Sequence, residues 1–388
     1  MPSTRGNIAL VLLSTVLSIT AVEAMLRAVA PIADPYKLHK RRANIVQMYL
    51  RSSFPANMRV QLSTEAGLPG MDGRETTFTT NNVGLRGDSL PMPKPDDELR
   101  VFVVGGSTTE NLYVDDRQAM TRILQDRLDT MVSGKRVKVY AAGKSGARSY
   151  DHIEMIAHRL VHLDPDALIV FAGINDLRAA MYGRDFLMLP PALGAPDTEW
   201  TLVQLLRFAA TEFQLGRRLF SLLKPDDYRD AVEQITLRSN FRRSVQMRRS
   251  LPVSAGAPRI DVRPYRNNLI SMVGMARSHG IDLVFLTQAT TWNSRVDSEI
   301  ANWHWMSAGP DSAYREEALD QAMEAYNDAV RAVAAEFNVP LFDLARLLPK
   351  SGEYFYDDVH FNPRGAETVG ARLALFVWEN ARLMKALR

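Results

Sequence analysis

Five short apolar runs, at residues 100–104, 137–141, 167–171, 283–287 and 340–342, constrain the fold of this 388-residue chain more than any other feature. Each is rich in Val, Ile, Leu or Phe, the pattern of a strand buried on both faces of a parallel sheet. Between them, apolar residues recur at helical spacing over 119–132, 150–163, 264–279 and 312–337. This alternation predicts an α/β fold: a doubly wound, flavodoxin-like, mostly parallel five-stranded sheet with helices on both faces. Such a sheet carries its ligand-handling loops at the carboxyl ends of the strands.

Three regions flank or interrupt that pattern. Residues 8–22 carry no charge, and the apolar character runs on to Ala30. That is roughly the 20 residues a bilayer-spanning helix needs, so 1–30 is read as an N-terminal membrane anchor. The small-x-small stretch Ala28-Val29-Ala30 is followed by Pro31, which favours an uncleaved anchor over a cleaved signal peptide. Arg5 precedes the segment while Lys37, Lys40, Arg41 and Arg42 follow it, a distribution that on charge alone places the following domain in the cytoplasm. Residues 31–97 are read as a stalk and a small β-rich lead-in, with alternating runs at 58–63 and 76–80. Residues 98–388 form the expected catalytic domain, interrupted at about 177–262 by a helical insertion without a strand of its own. The insertion holds an amphipathic run at 202–223 and an arginine-rich run including Arg238, Arg242, Arg243, Arg248 and Arg249. The arginines read first as a solvated helix face, with a lid, a membrane-surface contact or an anionic-glycan site as alternatives.

Composition narrows the chemistry. The 47 basic residues nearly balance 44 acidic ones, for a net charge of +3, so no nucleic-acid partner is expected. With no cysteine in the chain, disulfides, thiolate metal sites and a Cys nucleophile are excluded.

Four strand-end loops then stand out. Val104-Gly105-Gly106-Ser107-Thr108-Thr109-Glu110 breaks a buried strand at two glycines into a helix start. A serine there faces free N–H groups and the positive end of the helix dipole, although Ser107-x-x-Glu110 also fits a capping box. The literal Gly87-Asp88-Ser89-Leu90 string lacks a strand before it and is followed by Pro91 and Pro93, so it reads as a turn. The second loop, 141–149, contains Gly146, whose bare backbone lets an N–H approach a substrate oxygen, or which simply serves a turn. The third, Gly173-Ile174-Asn175-Asp176, offers an amide donor or an ordinary helix cap. The fourth, Tyr356-Asp357-Asp358-Val359-His360, leads through Asn362 and Pro363 into a final helix. Of the seven histidines, His360 alone has carboxylates at a spacing suited to steer an imidazole base, with either Asp357 or Asp358 as the partner.

In order and strand placement, these loops resemble the SGNH/GDSL hydrolase superfamily, over roughly residues 100 to 380 without the insertion. The resemblance implies a serine esterase or acyltransferase with Ser107 as nucleophile, His360 as base and Asp357 as its orienting carboxylate. It also implies an oxyanion hole from the Ser107 and Gly146 amides and the Asn175 side chain, with no metal or organic cofactor. The segment Thr80-Asn81-Asn82-Val83-Gly84-Leu85-Arg86-Gly87 is similar to a lead-in of membrane-anchored bacterial members. Such members act outside the cytoplasm, held in the inner membrane, on acylated glycans or lipids, opposite to the charge-based topology. Gly-Gly-Ser-Thr in place of Gly-Asp-Ser-Leu is a departure, and Lys144 and Arg148 make the second loop unusually basic, which favours an anionic ligand. A non-catalytic, membrane-tethered glycan-binding protein on the same fold is the competing expectation.

Overall fold

The structure, a computed structural model, describes residues 4–32, 34, 54–71, 73, 75–183, 206, 209–225 and 241–380. Most of the expected stalk, much of the insertion and Arg238 lie outside these residues. The chain divides into two compact units, Met1–Tyr49 with Leu189–Arg238, and Leu50–Met188 with Ser239–Arg388.

In the first unit, α1 spans Thr4–Val29. Its stretch Leu10–Val29 is long and apolar enough to cross a membrane. The second unit opens with a two-stranded antiparallel ribbon, β1 (Arg59–Ser63) and β2 (Glu75–Thr79). Strand β3 (Glu98–Gly105) runs directly into a single helical turn, α2 (Ser107–Glu110). There follow α3 (Met120–Met131), β4 (Arg136–Gly143), α4 (Ser149–His158), β5 (Ala167–Phe171) and α5 (Ile174–Met181). The first unit contributes α6 (Gln214–Leu223). The second resumes with α7 (Phe241–Ser250), α8 (Arg263–Ser278), β6 (Asp282–Leu286) and α9 (Ser298–Ala301). It ends with α10 (Glu316–Glu336), β7 (Leu341–Phe342), α11 (Leu344–Leu347) and α12 (Pro363–Glu379).

The five-stranded sheet has the order β4-β3-β5-β6-β7, and every pairing is parallel. Every residue of β3 and β5 is buried, which is why 101–104 and 167–171 read as apolar runs, while the charges of Glu98 and Arg100 at the start of β3 are paired with each other. Alternation along β3 divides the core. Phe102 and Val104 pack with α4, α8 and α10, whereas Leu99, Val101 and Val103 pack with α3 and α12. The doubly wound reading therefore holds, with helices on both faces. Because β3 has β4 on one side and β5 on the other, the chain reverses direction around it, and the crevice at such a switch point lies at the strands' carboxyl ends.

The lead-in forms a brace for that crevice. Asn81 Oδ1 accepts from the N–H groups of Val83 and Leu85, and Asn82 both donates to and accepts from the Leu90 backbone. This curl delivers Arg86 into the interior. Its guanidinium donates to the carbonyls of Glu110 (3.0 Å), Asn111 (2.8 Å) and Val114 (2.6 Å) and to Asp116 (2.9 Å). The end of α2 is thus closed by a buried cation, which complements the carbonyl end of a helical turn. Replacing Arg86 by Met leaves those acceptors and Asp116 without their donor. The expected cost is about 3 kcal/mol, read as a lower urea midpoint at unchanged slope.

Candidate active site

The turn between β3 and α2 depends on glycine for closeness rather than for backbone conformation. A Cβ on Gly105 would stand 2.2 Å from Thr109 Oγ1, and one on Gly106 would stand 2.6 Å from Asn175 Nδ2. Ser107 is the first residue of α2, half-buried at the mouth of the crevice. Residues 253 positions away in sequence meet it: His360 Nε2 lies 2.7 Å from Ser107 Oγ. On the other edge of the ring, His360 Nδ1 lies 2.7 Å from Asp357 Oδ2 and 2.9 Å from Oδ1. The structure therefore brings Ser107, His360 and Asp357 into one continuous hydrogen-bonded line.

The two neighbouring carboxylates do different work. Asp357 Oδ1 accepts from the backbone N–H groups of Val359 (3.0 Å) and His360 (2.9 Å), and Oδ2 accepts from Trp305 Nε1 (3.0 Å). Asp358 points away, accepting from Trp292 Nε1 (2.8 Å) and from the backbone of Trp305 (2.7 Å) and Met306 (3.1 Å). Burial opposes ionisation of Asp357, but the adjacent His360 and these donors outweigh it and hold its pKa below the ordinary value. Burial likewise disfavours the imidazolium of His360, yet Asp357 outweighs it and raises the pKa above that of an ordinary histidine. The imidazole also stacks on Tyr356, with ring centres 5.5 Å apart and planes 9° from parallel. Tyr356 in turn meets Phe241 of α7, and Phe241 meets Tyr113, an aromatic wall beside the imidazole.

The other two predicted loops converge on the same turn. Asn175, at the start of α5, donates one of its amide hydrogens from Nδ2 to Ala147 O (2.9 Å) and lies against Gly106. Gly146 sits between Lys144 and Ala147 in a left-handed conformation, φ +79°, with open space where a side chain would be. The loop is tied down around it: Lys144 N–H donates to Gly105 O (3.1 Å), Ala147 N–H donates to Lys144 O (3.0 Å), and Ser145 N–H donates to the Glu110 carboxylate. Glu110 thereby links α2 to the Gly146 loop. Burial pushes its pKa up, against the pull of Lys144 and Ser145.

Sequence reading missed three contributors: Arg86, Trp305 and Phe241. Trp305 is 52 positions from Asp357, and nothing local to either residue signals the contact. Lys144, expected to face an anionic ligand, instead lies 3.4 Å from the centre of the Phe54 ring and beside Glu110. Arg148 covers Tyr150 at 4.3 Å and lines a cavity of 310 Å³ together with Asp176, Arg259, Tyr265 and Tyr326. Arg242 and Arg249 of α7 are exposed, as on a solvated face, yet Arg242 meets Glu65 and Arg249 donates to Asn302, and the partly buried Arg248 donates to Ser307 and Glu316. Ser89 of the Gly-Asp-Ser-Leu string is exposed, its hydroxyl 3.4 Å from Asn82 Oδ1, in the brace ahead of β3. Among the described residues, no group of three or more His, Asp or Glu side chains is placed to hold a metal ion.

The sequence profile of the GDSL-like lipase/acylhydrolase family matches residues 103–368, a span that takes in all four loops. The chain belongs to that family. Its members are hydrolases of ester bonds, which sets the coarse activity of this chain. No curated protein matches the sequence. Similar solved structures include a lipase/acylhydrolase from Enterococcus faecalis, at 15% identity and a TM-score of 0.39, over 72% of this chain and 95% of that one. The acetylxylan esterase Axe2 from Geobacillus stearothermophilus shares 12% identity with a TM-score of 0.38, over 74% and 94% of the two chains. A GDSL-like lipase from Bacteroides thetaiotaomicron shares 15% identity with a TM-score of 0.36, over 76% and 93%.

Two substitutions separate the true turn from the literal motif. Gly106→Ala, whose backbone φ of −90° suits any residue, pushes a methyl into the Asn175 amide. It should lower ester hydrolysis by about a hundredfold or more, the scale of losing one stabilising donor, with unchanged circular dichroism. Ser89→Ala should hydrolyse aryl esters at the parental rate.

Proposed function

We propose that the chain is a serine esterase that cleaves ester-linked acyl groups of glycans or lipids through a Ser107–His360–Asp357 triad. The observation that carries this reading is the line from Ser107 Oγ through His360 to Asp357, with 2.7 Å at each junction. In it, His360 takes the Ser107 proton as Oγ attacks the ester carbonyl, and the imidazolium so formed is stabilised by Asp357. The tetrahedral oxyanion is received by the Ser107 and Gly146 amides and by the amide hydrogen of Asn175 that Ala147 does not take. Collapse expels the alcohol, which picks up the proton from His360, and water then resolves the acyl-enzyme by the reverse sequence. Metal and organic cofactor have no role in these steps.

We also propose that α1 remains attached as a single inner-membrane anchor with the catalytic part outside the cytoplasm. Supporting the anchor are the length and apolar surface of α1 and the Pro31 that follows the small-residue stretch. The placement rests on the resemblance to envelope members. A carboxyl-terminal alkaline phosphatase fusion should be active in cells, and an inactive fusion would reverse the topology.

Ser107→Ala and His360→Ala should each abolish fluorophosphonate labelling and lower aryl-ester turnover by several orders of magnitude while the fold is retained. Labelling of Ser107→Ala would end the assignment. An acyl-length series on aryl esters, followed by glycan deacetylation assays, resolves the acyl group.

The pH dependence has a definite sign. His360 works as a base only when neutral, so activity rises with pH through its raised pKa. The acid limb of kcat/KM should therefore lie above the pH at which an ordinary histidine titrates. Asp357→Asn removes the stabilising charge, so the limb should move to lower pH while kcat falls by about 10⁴.

A further inference from the structure

Helix α6 is turned inside out for a helix in water. Leu215, Leu219, Leu222 and Leu223 recur at i, i+4, i+7 and i+8, which places them on one stripe. That stripe faces outward: 45% of Leu215, 57% of Leu219, 78% of Leu222 and 69% of Leu223 is exposed. The opposite face, with Gln214, Arg217 and Ser221 at i, i+3 and i+7 and the buried Phe220 beside them, is the one turned inward. Gln214 is buried and Arg217 is largely so.

The inward face is fastened to the end of α1. Glu23 of α1 accepts from the N–H groups of Gln214 (2.8 Å) and Leu215 (3.1 Å), capping the start of α6 with a carboxylate. The Ile32 N–H donates to Gln214 Oε1 (2.8 Å), and Ile32 O accepts from Gln214 Nε2 (3.3 Å) and Arg217 (3.2 Å). Arg27 donates to Glu212 O (3.1 Å), and Arg218 donates to Ala30 O. Every one of these ties lies between residues 23 and 32, in the last two turns of the Leu10–Val29 span, where its charges Glu23 and Arg27 fall, and just beyond it. The α1 surface just before them is itself apolar and outward, including Leu10, Leu13 and Leu17.

We propose that α6 is a second membrane element, lying in the bilayer interface with its leucine stripe among the acyl chains. This rests on the reading of α1 as an uncleaved anchor. The occupant of the stripe is identified by continuity: the ties hold α6 at the level where an apolar span gives way to charge, the depth of headgroups and upper acyl chains. Arg217, Arg218 and Lys224 lie off the stripe, as basic side chains do on interfacial helices. On the inward face, where a poorly hydrated layer offers no water, Gln214 and Arg217 find their partners in Ile32 and Asp34.

The absence of cysteine permits a direct test. Full-length Leu219→Cys, Leu222→Cys, Leu13→Cys and Ser278→Cys proteins are labelled with a polarity-sensitive fluorophore and reconstituted in phosphatidylcholine/phosphatidylglycerol vesicles. Quenching by nitroxide-bearing lipid is compared with quenching by aqueous iodide. The expected result is a blue-shifted emission at 219 and 222 that is lost to nitroxide lipid and retained against iodide, as at 13, with the converse at 278. Iodide quenching at 219 and 222, with 13 still quenched by lipid, overturns the proposal while the anchor stands. Labels at 219 and 222 shielded from both quenchers would show a protein contact and also overturn it. Iodide access at position 13 would defeat the anchor reading and this proposal together.

Discussion

A carboxylate with no exposed surface is costly to keep ionised unless its oxygens are met by donors. Asp357 satisfies that condition with two backbone N–H groups, an indole N–H and the His360 ring. The same bonds shape the loop around it. The Tyr356 N–H donates to His360 O (3.0 Å), and the Asn362 N–H donates to Tyr354 O (3.1 Å), so residues 354–362 close into a compact hairpin. Because the carboxylate is held by backbone of the loop that carries the imidazole, the pair arrives at Ser107 already oriented. Preorganisation of this kind is what the proposed triad requires, since an imidazole already held by its carboxylate needs no rearrangement during the reaction.

The Ser107 turn is held with comparable redundancy. Arg86 closes the end of α2 from below, and Glu110 links that same turn to the Gly146 loop. Asn175 joins the loop from β5. Three strand ends are therefore locked to one another by side chains gathered around the Ser107 turn. The lead-in before β3, joined to the sheet by a single bridge between Arg86 and Ala141 of β4, acts as the brace that closes the single turn of α2.

Much of this was legible in the sequence because buried parallel strands show their burial on both faces. The inner stretch of β3 and the whole of β5 read as apolar runs, and the candidate site loops follow at their ends. Context also separated Ser107 from Ser89, since only the former has a strand before it. What stayed hidden was contact between distant segments. Asp357 and Asp358 are adjacent and chemically identical, so the residues alone left both open and the resemblance chose Asp357; the structure sets Asp357 against the imidazole and turns Asp358 to Trp292. The arginines of α7 read as a solvated stripe because their partners, Glu65, Asn302 and Glu316, lie far away in the chain. Lys144 looked available to an anion until Phe54 and Glu110 were seen around it.

Gly146 stands apart from the other site glycines in a way that matters for how this pocket changes over time. Gly105 and Gly106 are hemmed in by atoms, so any larger residue there collides. Around Gly146 there is room, and the only obstacle is its left-handed backbone. Asparagine and aspartate visit that conformation at modest expense, whereas valine and isoleucine do not. The loop at Gly146 is thus mutable in one chemical direction: short polar side chains can be added there without disturbing the scaffold, while branched apolar ones are filtered out by torsion alone.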